Sequence, residues 1–249
     1  MPFAIFDIET RIDKHLLNQV FFAGDGIDDE EAYQRFRGDP RNRSGDFMPM
    51  TLHRPISIAL GWVGDDYQLA RVESLALDDY SEERIVAEFW RQIEAFGGTL
   101  VSFNGRGFDL PVLELAALRD GLTLHHYFDE TAPQALPARH GGRHCDLYDL
   151  LCNYGAASLR GGMDLLLKLI GMPGKVVMDG SEVQDCYDAG RLDEIHRYCR
   201  SDVLQTYFLF LRVELMRGRI DEARYRTACA AAAPILAQLR LTTAGGSER

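Results

Sequence analysis

The chain has 249 residues, of which 46% are hydrophobic, 26% charged and 10% aromatic, which excludes disordered and fibrous classes and suits one large domain or at most two small ones. Lys and Arg number 27 against 38 Asp and Glu, a formal charge of −11 that argues against coating nucleic acid or anionic lipid through bulk charge. Met1 to Asp7 lacks the basic start of a signal peptide, no stretch approaches the roughly 18 to 20 apolar residues of a membrane span, and five cysteines without a C-x-x-C pair read as reduced thiols, so a cytoplasmic location without membrane contact is expected.

In chain order, Phe3 to Ile8 is a short apolar run that predicts a strand buried on both faces and ending in Asp7-Ile8-Glu9. Residues 56–63 and 67–75 predict two strands around Gly64-Asp65-Asp66, a hairpin. Ser81 is an N-cap for a helix whose apolar residues repeat from Ile85 to Phe96 until Gly97-Gly98 stops it. Thr99 to Phe103 is the next strand, followed by a helix from Asp109 to Arg119 that ends at Asp120-Gly121. A short strand is predicted near Arg143 to Cys145, then helices at about 147–153, 162–170, 181–188, 191–217 and 221–240, the last kinked at Pro234, and a frayed tail from 242 to 249. Alternating strands and helices after an antiparallel start predict an α/β class with a mixed sheet.

Residues 11–54 are too long for an ordinary connection. Asp25, Asp28, Asp29, Glu30 and Glu31 make the first part acidic, whereas Arg35, Arg37, Arg41, Arg43 and Arg54 face only Asp39 and Asp46 in the second. This insertion reads either as a solvated, mobile segment or as a flap that contacts substrate.

Three groups of carboxylates carry the chemistry. Asp7 and Glu9, two residues apart on a strand, leave the same face with Cα atoms about 7 Å apart, and read either as loop or surface acids or as two like charges in a buried setting that call for a cation. Ser102 to Leu113 reads as a strand end, a glycine-containing turn and a helix opened by Asp109, which is either an N-cap or a residue aimed at the carboxyl edge where Asp7 and Glu9 emerge. Tyr198 and Asp202 lie four apart on the long helix and share one face, about 6 Å apart along the axis, so that they can serve one centre unless Tyr198 is simply an aromatic at the core edge. His196 points elsewhere, about 240° round the helix from Asp202.

Taken together, Asp7-Ile8-Glu9-Thr10, Asn104 with Phe108-Asp109-x-Pro111, and Tyr198-x-x-x-Asp202 resemble the three exonuclease motifs of the DEDDy 3′-to-5′ exonucleases. Within that group the chain looks most like the predicted exonucleases related to the proofreading domain of family B DNA polymerases, with similarity over about residues 3–217. The resemblance implies an RNase H-like three-layer fold around a mixed, mainly five-stranded sheet, with residues 1–241 forming one exonuclease domain. It further implies two Mg²⁺ or Mn²⁺ ions held by Asp7, Glu9, Asp109 and Asp202, with Asp7 bridging both and Tyr198 orienting the attacking water. The implied reaction removes nucleoside 5′-monophosphates from a single-stranded 3′ end, of DNA first and, as the alternative, of RNA. Thr10 and Asn104 become substrate contacts, Phe108 a stacking face or a core residue, and Lys175 a phosphate contact or a solvated lysine. With no polymerase sequence beside these motifs, proofreading in cis is not expected.

Other signals are weaker. His140-x-x-x-His144-Cys145 lacks a second ligand pair for zinc, Asp146 and Asp149 read as caps of the helix that follows, and Cys199 has no histidine placed to activate it as a nucleophile. Glycoside hydrolysis by two carboxylates would leave the remaining acids and Tyr198 without a role. An inert binding module would be marked by a missing acid, and none is missing.

Overall fold

The computed structural model describes residues 1–39, 48–129, 142–172 and 180–244. Its centre is a five-stranded mixed sheet in the order β3-β2-β1-β4-β5, formed by β1 (Phe3–Ile12), β2 (His53–Val63), β3 (Leu69–Ser74), β4 (Thr99–Ser102) and β5 (His144–Asp146). β1, β2 and β3 pair antiparallel, while β4 and β5 run parallel to β1. The α/β class and the mixed sheet agree with the sequence.

The alternation of β1 sorts the core into two layers. Ala4, Phe6 and Ile8 pack with Phe89, Trp90 and Ile93 of α3 (Glu82–Ala95) and with Leu110 and Leu113 of α4 (Asp109–Asp120). Ile5 faces the other way, onto Cys199, Val203 and Tyr207 of the long helix α8 (Leu192–Met216), which α9 (Glu222–Ala244) covers in turn. Asp7 and Glu9 continue the Ile5 face, because strand side chains alternate. The 25-residue α8 contains neither Gly nor Pro, and Asp193 and Glu194 occupy its first turn, where they complement the helix dipole.

Several boundaries differ from expectation. β1 runs on to Ile12, so Asp7 and Glu9 lie within a strand and not at its end. The reason is that β2 starts at His53 and pairs Thr10 with Pro55, Arg11 with Arg54 and Ile12 with His53, after a bulge between Glu9 and Thr10. The insertion therefore shrinks to residues 13–52. Its described part holds two helices, α1 (Lys14–Phe21) and α2 (Asp29–Gly38), N-capped by Asp13 and Asp28, and a 3-10 turn at Met50–Leu52. Ile12, Leu17, Ala32, Tyr33, Met48 and Leu52 form a small core of their own beneath them. α5 (Leu147–Leu151) ends two residues early, where Asn153 and Tyr154 take positive φ. α6 (Gly162–Leu169) follows, and a 3-10 turn at Gly180–Glu182 stands before α7 (Val183–Asp188) where one helix from 181 is expected. α9 carries Pro234 within it and reaches Ala244, and residues 245–249 of the expected tail lie outside the described residues.

Candidate active site

Three of the predicted acids meet. Carboxylate oxygens of Asp7, Glu9 and Asp202 all lie within 4.8 Å of one another, with Glu9 and Asp202 buried. β1 supplies the first two on one face, and α8 lies across that face and supplies the third. Gly61 of β2 helps seat the helix, because a methyl group there would stand 2.9 Å from Val203 Cγ1. Like charges this close repel by roughly 3 to 4 kcal/mol per pair at an effective dielectric of about 20. Oxygen-only donors with this repulsion fit a hard divalent cation such as Mg²⁺ or Mn²⁺.

Asp109 reaches the same cleft from the opposite layer. It is the first residue of α4 and not its N-cap, a position held by Phe108 without a side-chain hydrogen bond. Asp109 Oδ1 instead accepts from the Ile8 backbone N–H at 3.2 Å. Burial raises the Asp109 carboxyl to about 7, with the Asp146 and Asp202 charges adding to the rise. A cation in the cleft would reverse that rise by favouring the carboxylate.

Tyr198 is 2% exposed, lines the cleft and hydrogen-bonds Asp202, one helical turn away. Burial pushes its hydroxyl far above the ordinary tyrosine range, and the Asp202, Glu9 and Asp7 charges push in the same direction. The hydroxyl stays protonated at any neutral pH and is suited to positioning. Cys199 is fully buried, and its Sγ lies 3.3 Å from the Asp7 carbonyl oxygen and 3.7 Å from Asp7 Oδ2. Burial and the neighbouring acids raise its thiol well above the usual range, so it is not a nucleophile. His196 faces away, with Nδ1 2.8 Å from Ser57 Oγ and its ring against Tyr80.

The turn before α4 is shaped by backbone contacts. Asn104 has φ +66°, a conformation Asn tolerates, and the backbone N–H groups of Gly107 and Phe108 donate to its carbonyl. A methyl group on Gly105 would collide with Ser102 Oγ and crowd the Phe6 ring. Asp146 caps α5 through Tyr148 and Asp149 as expected, and its carboxylate also accepts from the backbone N–H groups of Asn104 and Arg106, both at 2.9 Å. That second role has no signal in the sequence, because β5 reaches the turn only through the fold.

The predicted substrate residues are dispersed around this centre. Asn104 and Phe108 line the cleft, Thr10 lies beyond Glu9 with its Oγ1 2.7 Å from His53 Nδ1, and Lys175 lies outside the described residues. His53 itself has no motif to mark it, yet its ring meets Phe108 edge-on with centroids 5.0 Å apart. Asp164 of α6 also lines the cleft and pairs with Lys168 at 2.7 Å. His140 lies outside the described residues, and His144 Nε2 lies 2.9 Å from Ser102 Oγ. Among the described residues, only Asp7, Glu9 and Asp202 form a group that could hold a metal ion.

Residues 45–244 match the family model described as predicted 3′-5′ exonucleases related to the exonuclease domain of PolB. No curated protein matches the chain. Among solved structures, it is similar to the family B DNA polymerase of the hyperthermophilic archaeon Pyrobaculum calidifontis at 17% identity and a TM-score of 0.54, covering 86% of this chain and 24% of the polymerase. A structure of E. coli ExoI with single-stranded DNA matches at 14% identity and a TM-score of 0.37, covering 88% of this chain and 45% of that one. The chain thus spans about a quarter of the polymerase and less than half of the ExoI chain.

Proposed function

Because the chain belongs to the family of predicted 3′-5′ exonucleases related to the exonuclease domain of PolB, we propose that residues 1–241 act as a 3′-to-5′ exonuclease on single-stranded DNA and release nucleoside 5′-monophosphates. The observation that carries this reading is the convergence of Asp7, Glu9 and Asp202 within 4.8 Å, with Asp109 and Tyr198 lining the same cleft of about 480 Å³. The family's relation to a DNA polymerase domain supports DNA over RNA.

Two Mg²⁺ or Mn²⁺ ions held by Asp7, Glu9, Asp109 and Asp202 would supply a water of lowered pKa and offset charge on the leaving 3′ oxygen. Asp7 would serve both ions, Glu9 and Asp202 the water-activating one, and Asp109 the second. Tyr198, whose O–H donates to Asp202, accepts from the attacking water through its oxygen and orients it. Asn104 and Thr10 contact the terminal nucleotides, and Phe108 offers a half-exposed ring for a base to stack on. Lys175 is the phosphate contact in this reading.

End-labelled oligonucleotides of matched DNA and RNA sequence, incubated with the purified protein and Mg²⁺ or Mn²⁺, test the proposal. Stepwise shortening from the 3′ end, faster on single-stranded DNA and abolished by Asp7→Ala or Asp202→Ala, is the expected result. Full activity in those variants, or no shortening by the unaltered protein, overturns it. Faster shortening of RNA makes the enzyme an exoribonuclease.

A further inference from the structure

A groove of about 360 Å³ runs along β5, the last strand of the sheet, and shares no lining residue with the carboxylate cleft. Three arginines line it: Arg106 from the turn before α4, and Arg217 and Arg219 from the residues that follow α8. Glu214 pairs with Arg217 at 3.0 Å and with Arg219 at 3.5 Å and is itself fully buried, while the two arginine side chains are 28% and 52% exposed. At this end of the groove positive charge faces solvent and negative charge does not. Arg106 lies 3.5 Å from Asp149, and Asp146 is buried and turned onto backbone N–H groups. Another wall carries Tyr154, which is about half exposed. Asn153 and Tyr154 have φ +49° and +55°, and Gly155 follows at +90°. Asn and Gly suit that region, whereas a tyrosine in it is strained.

Resting on the exonuclease reading above, we infer that this groove holds the strand upstream of its terminal nucleotides, with a base stacked on Tyr154 and a phosphate held by Arg217 and Arg219. Continuity is the first ground. Asn104 lines the cleft and Arg106 lines the groove, so the two spaces meet across a turn whose Cα atoms are at most about 7 Å apart. Asp146 accepts from both backbone N–H groups at 2.9 Å and fixes that turn as a ridge between them. The lining is the second ground, because an aromatic face beside guanidinium groups holds single strands whatever their sequence. A guanidinium carries five N–H donors, and one ion pair with Glu214 does not exhaust it. The third is the strained turn: core burial does not account for a tyrosine there, since its ring reaches solvent. A chain of formal charge −11 thus gains a local grip on a polyanion, one that depends on strand length.

The test measures binding of 5′-labelled oligothymidylates of three and twelve nucleotides to the full chain by fluorescence anisotropy in EDTA, which prevents metal-dependent cleavage, and their shortening separately under Mg²⁺. The unaltered protein is expected to bind the twelve-nucleotide strand about tenfold or more tighter than the three-nucleotide one. Tyr154→Asn removes the ring and suits φ +55°, so the melting temperature should hold or rise while that ratio falls to about threefold or less. A merely structural tyrosine would show the opposite, a lower melting temperature with the ratio kept. Arg219→Gln should reduce the slope of log affinity against log salt by about 0.7, the share of one phosphate contact on a single strand. Equal binding of both lengths by the unaltered protein, or an unchanged ratio and salt slope in the two variants, overturns the groove, and 3′ shortening under Mg²⁺ then still upholds the exonuclease reading. Length-dependent binding that the variants weaken, without any shortening, keeps the groove as a single-strand site and overturns the exonuclease.

Discussion

Asp109 Oδ1 accepts a hydrogen bond from the backbone N–H of Ile8, the residue between the two acids of β1, at 3.2 Å. One carboxylate therefore fastens α4 to β1 and also faces the cleft. Asp109→Asn retains an acceptor for Ile8 while removing the charge, so it should fold as stably as the original and lose about a hundredfold or more in kcat. Asp109→Ala leaves the Ile8 N–H buried without its partner and should in addition cost about 1 to 3 kcal/mol in urea unfolding of metal-free protein. Equal stability of the two variants would show that the hydrogen bond contributes nothing.

Tyr198 acts as a neutral donor in this arrangement, because burial and three acids hold its hydroxyl protonated. Tyr198→Phe should lower kcat by about ten- to a hundredfold. The pH–rate profile between pH 6 and 9 should keep its shape, since the lost group does not titrate there. Loss of a limb of that profile in the variant would identify Tyr198 as a titrating base.

Cys199 touches Asp7 yet is fully buried with a raised thiol pKa. Cys199→Ala should keep activity within about threefold, because a thiol is a weak hydrogen-bond donor. Peptide mapping after iodoacetamide treatment at pH 8 should find Cys199 unmodified in folded protein and modified in urea. Rapid labelling of the folded state would contradict the buried position.

Asp146 accepts from four backbone N–H groups, those of Asn104, Arg106, Tyr148 and Asp149. Asp146→Ala should destabilise the protein by about 2 kcal/mol or more and reduce activity as the turn before Asp109 loosens. Asp146→Asn, which retains an acceptor, should recover part of both losses. Thermal melts and oligonucleotide assays on the two variants decide this. If Ala is harmless, the turn is held by other contacts.

Burial, aided by the Arg106 charge, pushes the His144 ring down to about 3. In the unfolded chain it protonates near 6.5. Its neutral folded form therefore contributes stability that is complete above about pH 6.5 and declines as pH falls toward 3. His144→Asn should show a smaller loss of urea midpoint between pH 7.5 and 5 than the unaltered protein. Identical losses would remove His144 as a source of acid sensitivity.

Local chemistry was sufficient for much of this protein. The Ser81 cap, the Gly64 turn, the apolar spacing of α3 and the Gly- and Pro-free run of α8 all depend on neighbours within a few residues, and each was legible in the amino-acid order. So was the shared face of Asp7 with Glu9 and of Tyr198 with Asp202, because two-residue strand spacing and four-residue helix spacing assign each pair to one face, whereas Asp109 could equally be read as an N-cap. The helices α1 and α2 were not legible, since their small core joins Ile12, Leu17, Tyr33, Met48 and Leu52 across a long stretch with no continuous apolar period. Nor was the extension of β1 to Ile12, which requires pairing with His53, or the four-way grip of Asp146 on a turn some forty residues away. The sequence by itself determined which residue types are available and on which face of which element they stand. Only the tertiary structure decided that Asp202 comes to Asp7 and Glu9, that Asp109 arrives from the opposite layer, and that Arg106, Tyr154 and Arg219 line one groove along β5. Side-chain spacing along one element is set by local backbone geometry, whereas the distance between elements is set by packing among residues remote in the chain.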